Sequence, residues 1–184
     1  MAYKPIDQLL IHNTDTAVKP IIGNKEIEKT GEIVFNPQLL VVEPIPPEEV
    51  AEKIETPEIE SHLSEVYNAI ASQGTVNDKL NTLMYFESII LNSSVANRLI
   101  NSAFITLLLK MLKSVKSPHL KIRLCSIIGQ LVRHSTVIGN ELAESGICDL
   151  LCESVKDKSE KLRRKAIAAL GEYLFYAATQ LDDE

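Results

Sequence analysis

The chain contains no tryptophan, and aromatic residues make up only 5% of it. Its core must therefore be aliphatic, and the concentration of Leu, Ile, Val and Ala in the second half favours packed helices over a β-sandwich. No run approaches the roughly 18 consecutive apolar residues of a membrane span, and the first ten residues lack the apolar segment of a secretion signal. We therefore expect no membrane partner.

Cysteine is also scarce, since only Cys125, Cys148 and Cys152 occur. An odd number cannot pair off evenly, and all three lie in apolar helical patterns, so they are expected to be small core residues of a reducing compartment. Cys148 and Cys152 are one helical turn apart, which suits disulfide geometry poorly. The cysteines thus predict a cytoplasmic protein.

Motifs of catalysis and cofactor binding are absent from the sequence. It has no glycine-rich phosphate loop and no HExxH, CxxC or GxSxG motif. Its histidines share no spacing typical of metal ligands and are expected at the surface or at helix ends: His12, His62, His119 and His134. We predict that the chain is not an enzyme and binds no cofactor or metal.

The net charge of −6 is unevenly distributed. Residues 1–56 contain five lysines and ten acidic residues, whereas the remainder is nearly balanced. Because no segment has a large excess of positive charge, the sequence gives no indication of a nucleic-acid partner.

The chain divides at about residue 46. Residues 1–46 contain five prolines and short β-prone pieces, which predicts an extended acidic arm with at most a short strand or two. From residue 47 to 184 the apolar pattern has a period of 3.6, which predicts eight or nine helices. Its helix-start signals are Pro47, Thr56–Pro57, Thr75 and Ser117–Pro118, and its breaks are Gly74, Ser93–Ser94 and Gly146.

The helical part is self-similar at a shift of 42 residues. Leu150 falls on Leu108, Ser159 on Ser117 and Gly171 on Gly129. This period is typical of armadillo and HEAT repeats, so we predict a right-handed α-solenoid of about three repeats. Gln130 and Glu172 replace the asparagine ladder of peptide-binding armadillo proteins, which argues against that mode of binding.

Five basic residues define a candidate partner-binding surface, which we call the basic stripe. Stacking of repeats would align side chains from two units into one stripe: Lys121, Arg123, Lys161, Arg164 and Lys165. Such a stripe fits an acidic protein partner. The alternative is a solvated helix start whose charges are balanced by Glu153, Asp157 and Glu160.

Several stretches resemble one kinase family. "TAVKPIIGNKEIEK", "EIVFNPQLLVV", "KIRLCSIIGQLVRHST" and "LGEYLFYAATQ" are similar to the region that follows the kinase domain in the family of the fourth unc-51-like kinase and Runkel, within the Fused-type group. The resemblance implies a non-catalytic scaffold with armadillo/HEAT repeats behind a kinase-like domain that is often a pseudokinase. It also implies ciliary or microtubule-associated roles. No ATP-site residue carries over, because the kinase motifs VAIK, HRD and DFG are absent.

An apolar knot in the arm remains to be explained: Val18, Pro20, Ile21 and Ile22. One hypothesis is structural, in which the knot covers the exposed end of the first repeat. The other is functional, in which the knot docks onto a kinase-like domain of the same parent chain. The sequence leaves both open.

Overall fold

The computed structural model describes residues 34–72 and 74–180, which include nine α-helices and no β-strand. The apolar knot lies outside these residues, so both hypotheses about it stay predictions. The predicted all-α fold is confirmed and is consistent with an α-solenoid, while the number of repeats stays a prediction. The helices are α1 (Pro47–Glu52), α2 (Pro57–Ala71), α3 (Val76–Ile89), α4 (Ser93–Ile100), α5 (Ala103–Ser114), α6 (Pro118–His134), α7 (Glu141–Glu144), α8 (Ile147–Ser154) and α9 (Glu160–Gln180).

Local side-chain chemistry sets most helix starts as predicted. Thr56 and Ser117 each accept a backbone N–H bond three residues ahead and are followed by proline, whose missing N–H costs nothing in the first turn. Thr75 and Asp78 form a reciprocal capping box. One boundary differs, because Asn92 caps α4 by accepting from the Ser94 N–H at 2.9 Å. That helix therefore begins at Ser93, where the sequence predicts a break.

The end of the predicted arm is not a strand in the described residues. The β-prone stretch 38–42 instead begins within a 3₁₀ turn at Pro37–Leu39, which Asn36 caps by accepting from the Gln38 N–H at 3.0 Å. Proline at the first position of the turn supplies no N–H to a sheet ladder and presets a helical φ. The cap at Asn36 and the proline that follows it thus outweigh the strand propensity of this stretch.

Helix α6 lies at the centre of the fold. Helix α6 packs against α3, α4, α5 and α9, and α8 packs against α5 and α9. The core is largely aliphatic, as predicted. Its few aromatic rings contact one another, as in Phe86 and Phe104, whose ring centroids lie 4.2 Å apart. Its largest fully buried side chains are Phe86, Ile59, Ile70, Leu83, Ile89, Ile90, Leu108, Leu124, Ile127, Ile128, Leu131 and Ile147.

Two glycines have positions that need them. Gly146 has a φ of +76° between α7 and α8, so it ends one helix and turns the chain into the next. Gly129 lies where α6 and α9 cross, and a Cβ there would lie 3.0 Å from the Cα of Ala169. The absence of a side chain at Gly129 therefore permits the close approach of the two helices.

Two asparagines at α4 fix the loop that follows α6. Asn97 accepts from the Thr136 N–H at 2.8 Å, and Asn101 accepts from the Gly139 N–H at 2.7 Å. Asn101 also donates to the Val137 carbonyl at 2.9 Å. The loop joins one group of helices to the next, so these bonds set how α7 and α8 follow α6.

Candidate interaction surfaces

The basic stripe lies on α6 and α9, and much of its charge is already paired. Arg123 forms an ion pair with Glu87 of α3, and both side chains are part-buried. Arg164 pairs with Glu160 at 2.5 Å within α9, and Lys165 Nζ donates to Ser126 Oγ of α6 at 3.4 Å. The last contact brings α9 within one helical turn of Arg123. The basic stripe as a partner-binding surface stays a prediction, and carboxylates offset two of its charges.

Helix α9 has two apolar faces. One is buried and contains Leu162, Ala166, Ala169, Tyr173 and Tyr176. The opposite one, which we call the outer face of α9, repeats at helical spacing and consists of Ile167, Gly171, Leu174, Phe175 and Ala178. Ile167, Leu174 and Phe175 are 56%, 51% and 68% exposed. Within the described ranges the outer face is therefore an uncovered apolar surface.

The segment 34–46, which we call the strap, lies against α3. Asn81 holds it at one point, accepting from the Asn36 N–H and donating to the Asn36 carbonyl, both at 2.8 Å. Tyr85 holds it at a second point, donating to the Ile45 carbonyl at 2.9 Å. Phe35 stacks on the Tyr85 ring with a centroid distance of 6.3 Å. Two side chains one turn apart on α3 thus satisfy backbone groups of the strap at Asn36 and at Ile45.

A buried histidine completes this contact. His62 Nε2 of α2 lies 2.8 Å from the Tyr85 hydroxyl, which also accepts from the Ile45 N–H at 3.1 Å. The single hydroxyl proton is directed to the Ile45 carbonyl, so His62 must donate through Nε2. The neutral tautomer with a proton on Nε2 fits this arrangement, and burial lowers the pKa of His62 below its usual value of 6.5, opposed by Glu65.

An open groove of about 660 Å³ runs between α1–α2 and α4–α5 and is bordered by the Arg98–Glu60 ion pair. In the described part of the chain, no group of three or more His, Cys, Asp or Glu could hold a metal ion. Burial raises the pKa of the Cys125 thiol to about 11, which keeps it protonated and unreactive.

One further property concerns membranes. Among the described residues no single helix is long and apolar enough to cross a bilayer, and α4 and α5 meet the length and composition only together, across a 68° bend.

Comparison with known proteins finds relatives among serine/threonine-protein kinases. The serine/threonine-protein kinase RUNKEL of Arabidopsis thaliana is 35% identical over 170 residues, which cover 92% of this chain and 12% of RUNKEL. The serine/threonine-protein kinase ULK4 of Mus musculus is 26% identical over 182 residues, which cover 94% of this chain and 14% of ULK4. The chain is homologous to both proteins. The family resemblance inferred from the sequence is thereby confirmed.

The homology to RUNKEL and ULK4 concerns a short segment of each. The chain spans about an eighth of the length of these relatives, so the activity of either whole protein is not transferred to it. No family model matches the chain, and no solved structure matches it. The assignment of its helices to armadillo or HEAT repeats stays a prediction.

Sequence reasoning missed the residues that hold the strap. The sequence places His62 at the surface or a helix end, yet it is buried in the middle of α2. The signal that could have found it is its position between Ile59 and Val66 on the apolar face of the helix. Asn81 and Tyr85 carry a similar signal, because both lie on buried positions of α3.

His62 should make stability depend on pH. Because its folded-state pKa is depressed, the unfolded chain binds more protons between that pKa and about 6.5. Stability is therefore fully present above the unfolded pKa and is lost as pH falls through this window. Urea unfolding at a series of pH values should show this loss, and His62→Gln, which keeps a donor and does not titrate, should reduce it. An unchanged pH dependence in His62→Gln would contradict the assignment.

Proposed function

We propose that the chain is a non-catalytic protein-interaction segment of a kinase-family protein, which holds protein partners next to a kinase-like domain. The observation that carries this proposal is the outer face of α9. A contiguous exposed apolar surface on a helical domain is typical of a protein contact, because leaving it in water is unfavourable. The homology to RUNKEL and ULK4 supports the kinase context. The family resemblance adds the proposal that the assemblies are ciliary or microtubule-associated.

The two ends of the helical domain differ in a way that supports this proposal. At the α3 end, the strap covers the helices, with Phe35, Leu40, Val42 and Ile45 packed against the core. At the α9 end, no described residue covers Ile167 or Leu174 to a comparable extent. One end of the domain is closed by its own chain, so a partner contact is better accommodated at the other.

A second candidate function uses the basic stripe. Lys161, Arg164 and Lys165 are exposed at the start of α9, and an acidic protein surface such as that of a microtubule is a suitable partner. The pairing of Arg123 with Glu87 and of Arg164 with Glu160 weakens this candidate relative to the first. A contact of this kind would be lost at high salt, whereas the apolar contact would not.

One experiment separates the two candidates. The full chain is fused to a proximity-labelling enzyme in cells, with one variant carrying Ile167→Asp and Leu174→Asp and another carrying Lys161→Glu, Arg164→Glu and Lys165→Glu. We expect the variant with two aspartates on the outer face of α9 to lose most labelled neighbours. Burying the introduced carboxylates in an apolar contact is unfavourable. Loss in the charge variant instead would favour the second candidate.

The control variant carries Leu91→Asp and Val137→Asp, which remove exposed apolar side chains elsewhere on the surface. It should keep the labelled set of the unmodified chain. If neither test variant differs from this control, the proposed interaction function is wrong for both surfaces.

A further inference from the structure

The outer face of α9 has a buried counterpart one repeat period earlier. A shift of 42 residues places four positions of α9 on four positions of α6 that are all buried. The pairs are Ile167 with Cys125, Leu170 with Ile128, Gly171 with Gly129, and Leu174 with Val132. In α9 the same positions are apolar or glycine, but Ile167 and Leu174 are more than half exposed. The two helices therefore present the same type of surface, and only that of α6 is covered.

The glycine pair shows what kind of surface this is. At Gly129 the added Cβ would lie 3.0 Å from Ala169 Cα and 3.1 Å from Ala169 Cβ, so a small residue of a neighbouring helix fills that space. At Gly171 an added Cβ would meet nothing within 4 Å among the described residues. A glycine inside an exposed helix is unfavourable relative to alanine, because it loses more backbone freedom on folding. At Gly129 close packing offsets this cost, and at Gly171 nothing described does.

We propose that the outer face of α9 is a docking surface for an amphipathic helix of another helical repeat unit, which stacks on α9 as α9 stacks on α6 and lays a small residue over Gly171. This inference rests on the proposed interaction function and names the kind of partner. The α6–α9 contact is the template for this proposal, because α9 packs on α6 through one face and presents the equivalent of the covered α6 surface on its opposite face.

The chemistry of the face favours a helix over an extended peptide. Ile167, Gly171, Leu174 and Ala178 offer no side-chain donor or acceptor, so an extended backbone lying on them would leave N–H and C=O groups unpaired. A helix satisfies these groups internally and needs only apolar contact. The strap illustrates the contrast, because its extended backbone is held by the polar side chains of Asn81 and Tyr85.

A second copy of the chain fits less well. In a second copy, the face of α9 that carries Ala166 and Ala169 is already packed against that copy's own α6. The second copy therefore offers only the outer face of its α9. There the residues flanking Gly171 are the large Ile167 and Leu174, unlike the small residues that α9 presents to α6. Self-pairing is therefore an alternative that the test must detect.

The probe for the test is a fluorescent peptide of residues 159–180, which reproduces the helix that fits α6. A hydrocarbon staple joining positions 167 and 171 holds the peptide helical and removes its own outer face. We expect saturable binding to the 184-residue chain by fluorescence anisotropy, weakened at least tenfold by Gly171→Leu in the chain. A probe carrying Ala169→Leu should bind as weakly, because the small residue over Gly171 is lost.

Leu91→Asp is the control and should bind the probe like the unmodified chain. Binding that is absent, or that Gly171→Leu leaves unchanged, would overturn the proposal. Sedimentation of the chain alone gives the remaining outcome, because a dimer that Gly171→Leu dissociates would make a second copy the occupant and also overturn it. Thermal unfolding confirms that Gly171→Leu is folded.

The proposed function fails independently of this inference. If the probe does not bind while the variant with Ile167→Asp and Leu174→Asp still loses its labelled neighbours, the helix-stacking partner is wrong and the interaction function stands. If the probe binds while the labelled set is unchanged, the interaction function fails, and the helix-stacking partner that rests on it is overturned as well.

Discussion

Gly129→Leu is expected to lower the free energy of unfolding by about 3 kcal/mol, whereas Gly171→Leu is expected to leave it unchanged or raise it by up to about 1 kcal/mol. The two positions are 42 residues apart and equivalent in the repeat pattern. At Gly129 the new side chain meets the backbone of Ala169, which cannot rotate out of the way. Overpacking then forces α9 away from α6.

Chemical denaturation followed by circular dichroism measures both effects. For Gly129→Leu we also expect faster amide exchange in α9, since the helix loses contact along its buried face. Gly171→Leu is the matched control, because it makes the same chemical change on an exposed helix surface. Equal destabilisation by both substitutions would contradict the role given to the α6–α9 crossing, because helix propensity favours leucine over glycine at both positions.

Tyr85→Phe is expected to destabilise the chain by about 2–3 kcal/mol, although it removes a single oxygen atom. The hydroxyl forms hydrogen bonds with the Ile45 carbonyl, the Ile45 N–H and His62 Nε2, at 2.9, 3.1 and 2.8 Å respectively. All three groups lose their partner in a part-buried or buried setting, and unpaired polar groups are costly there. The ring remains and keeps its stacking with Phe35.

Urea unfolding gives the stability change, and amide exchange at Ile45 reports whether the strap loosens locally. Tyr67→Phe is the control, because Tyr67 lies on the neighbouring helix α2 and lines the open groove. We expect it to change stability by less than about 0.5 kcal/mol. A similar loss in both variants would show that the three bonds to Tyr85 contribute little.

The loss in Tyr85→Phe also bears on the predicted division of the chain at residue 46. The strap belongs in sequence to the extended arm, yet it is bonded to α3 through Asn81 and Tyr85. If its bonds stabilise the fold to the expected degree, residues 34–46 act as part of the helical domain. The domain boundary itself stays a prediction, because residues 1–33 are outside the described ranges.

Helix starts could be predicted from the sequence because they depend on neighbours within three residues. Thr75 and Asp78 form their capping box with no help from the rest of the chain. Ser117 caps α6 in the same way. The start of α4 also depends on a local cap, although the prediction was wrong there. Asn92 caps the helix in place of the serines that follow it, so α4 begins at Ser93.

The basic stripe shows where prediction by spacing reaches its limit. The positions of Arg123 and Lys165 on equivalent helical turns follow from the 42-residue period. The pairing of Arg123 with Glu87 does not, because the two residues are separated by 36 positions and meet only through the packing of α6 on α3. The spacing therefore predicts where the basic side chains lie along the helices, but it does not predict which of them are neutralised by a carboxylate.

The sequence by itself determined the aliphatic all-α character, the helix caps and the kinase-family homology, because composition, period and local capping are encoded along the chain. Only the tertiary structure decided which apolar faces are covered and how the strap is held. The pattern of α9 contains two apolar faces, and their burial depends on the position of α6. The contacts of Asn81 and Tyr85 join residues 40–45 positions apart, and no local rule specifies such pairs.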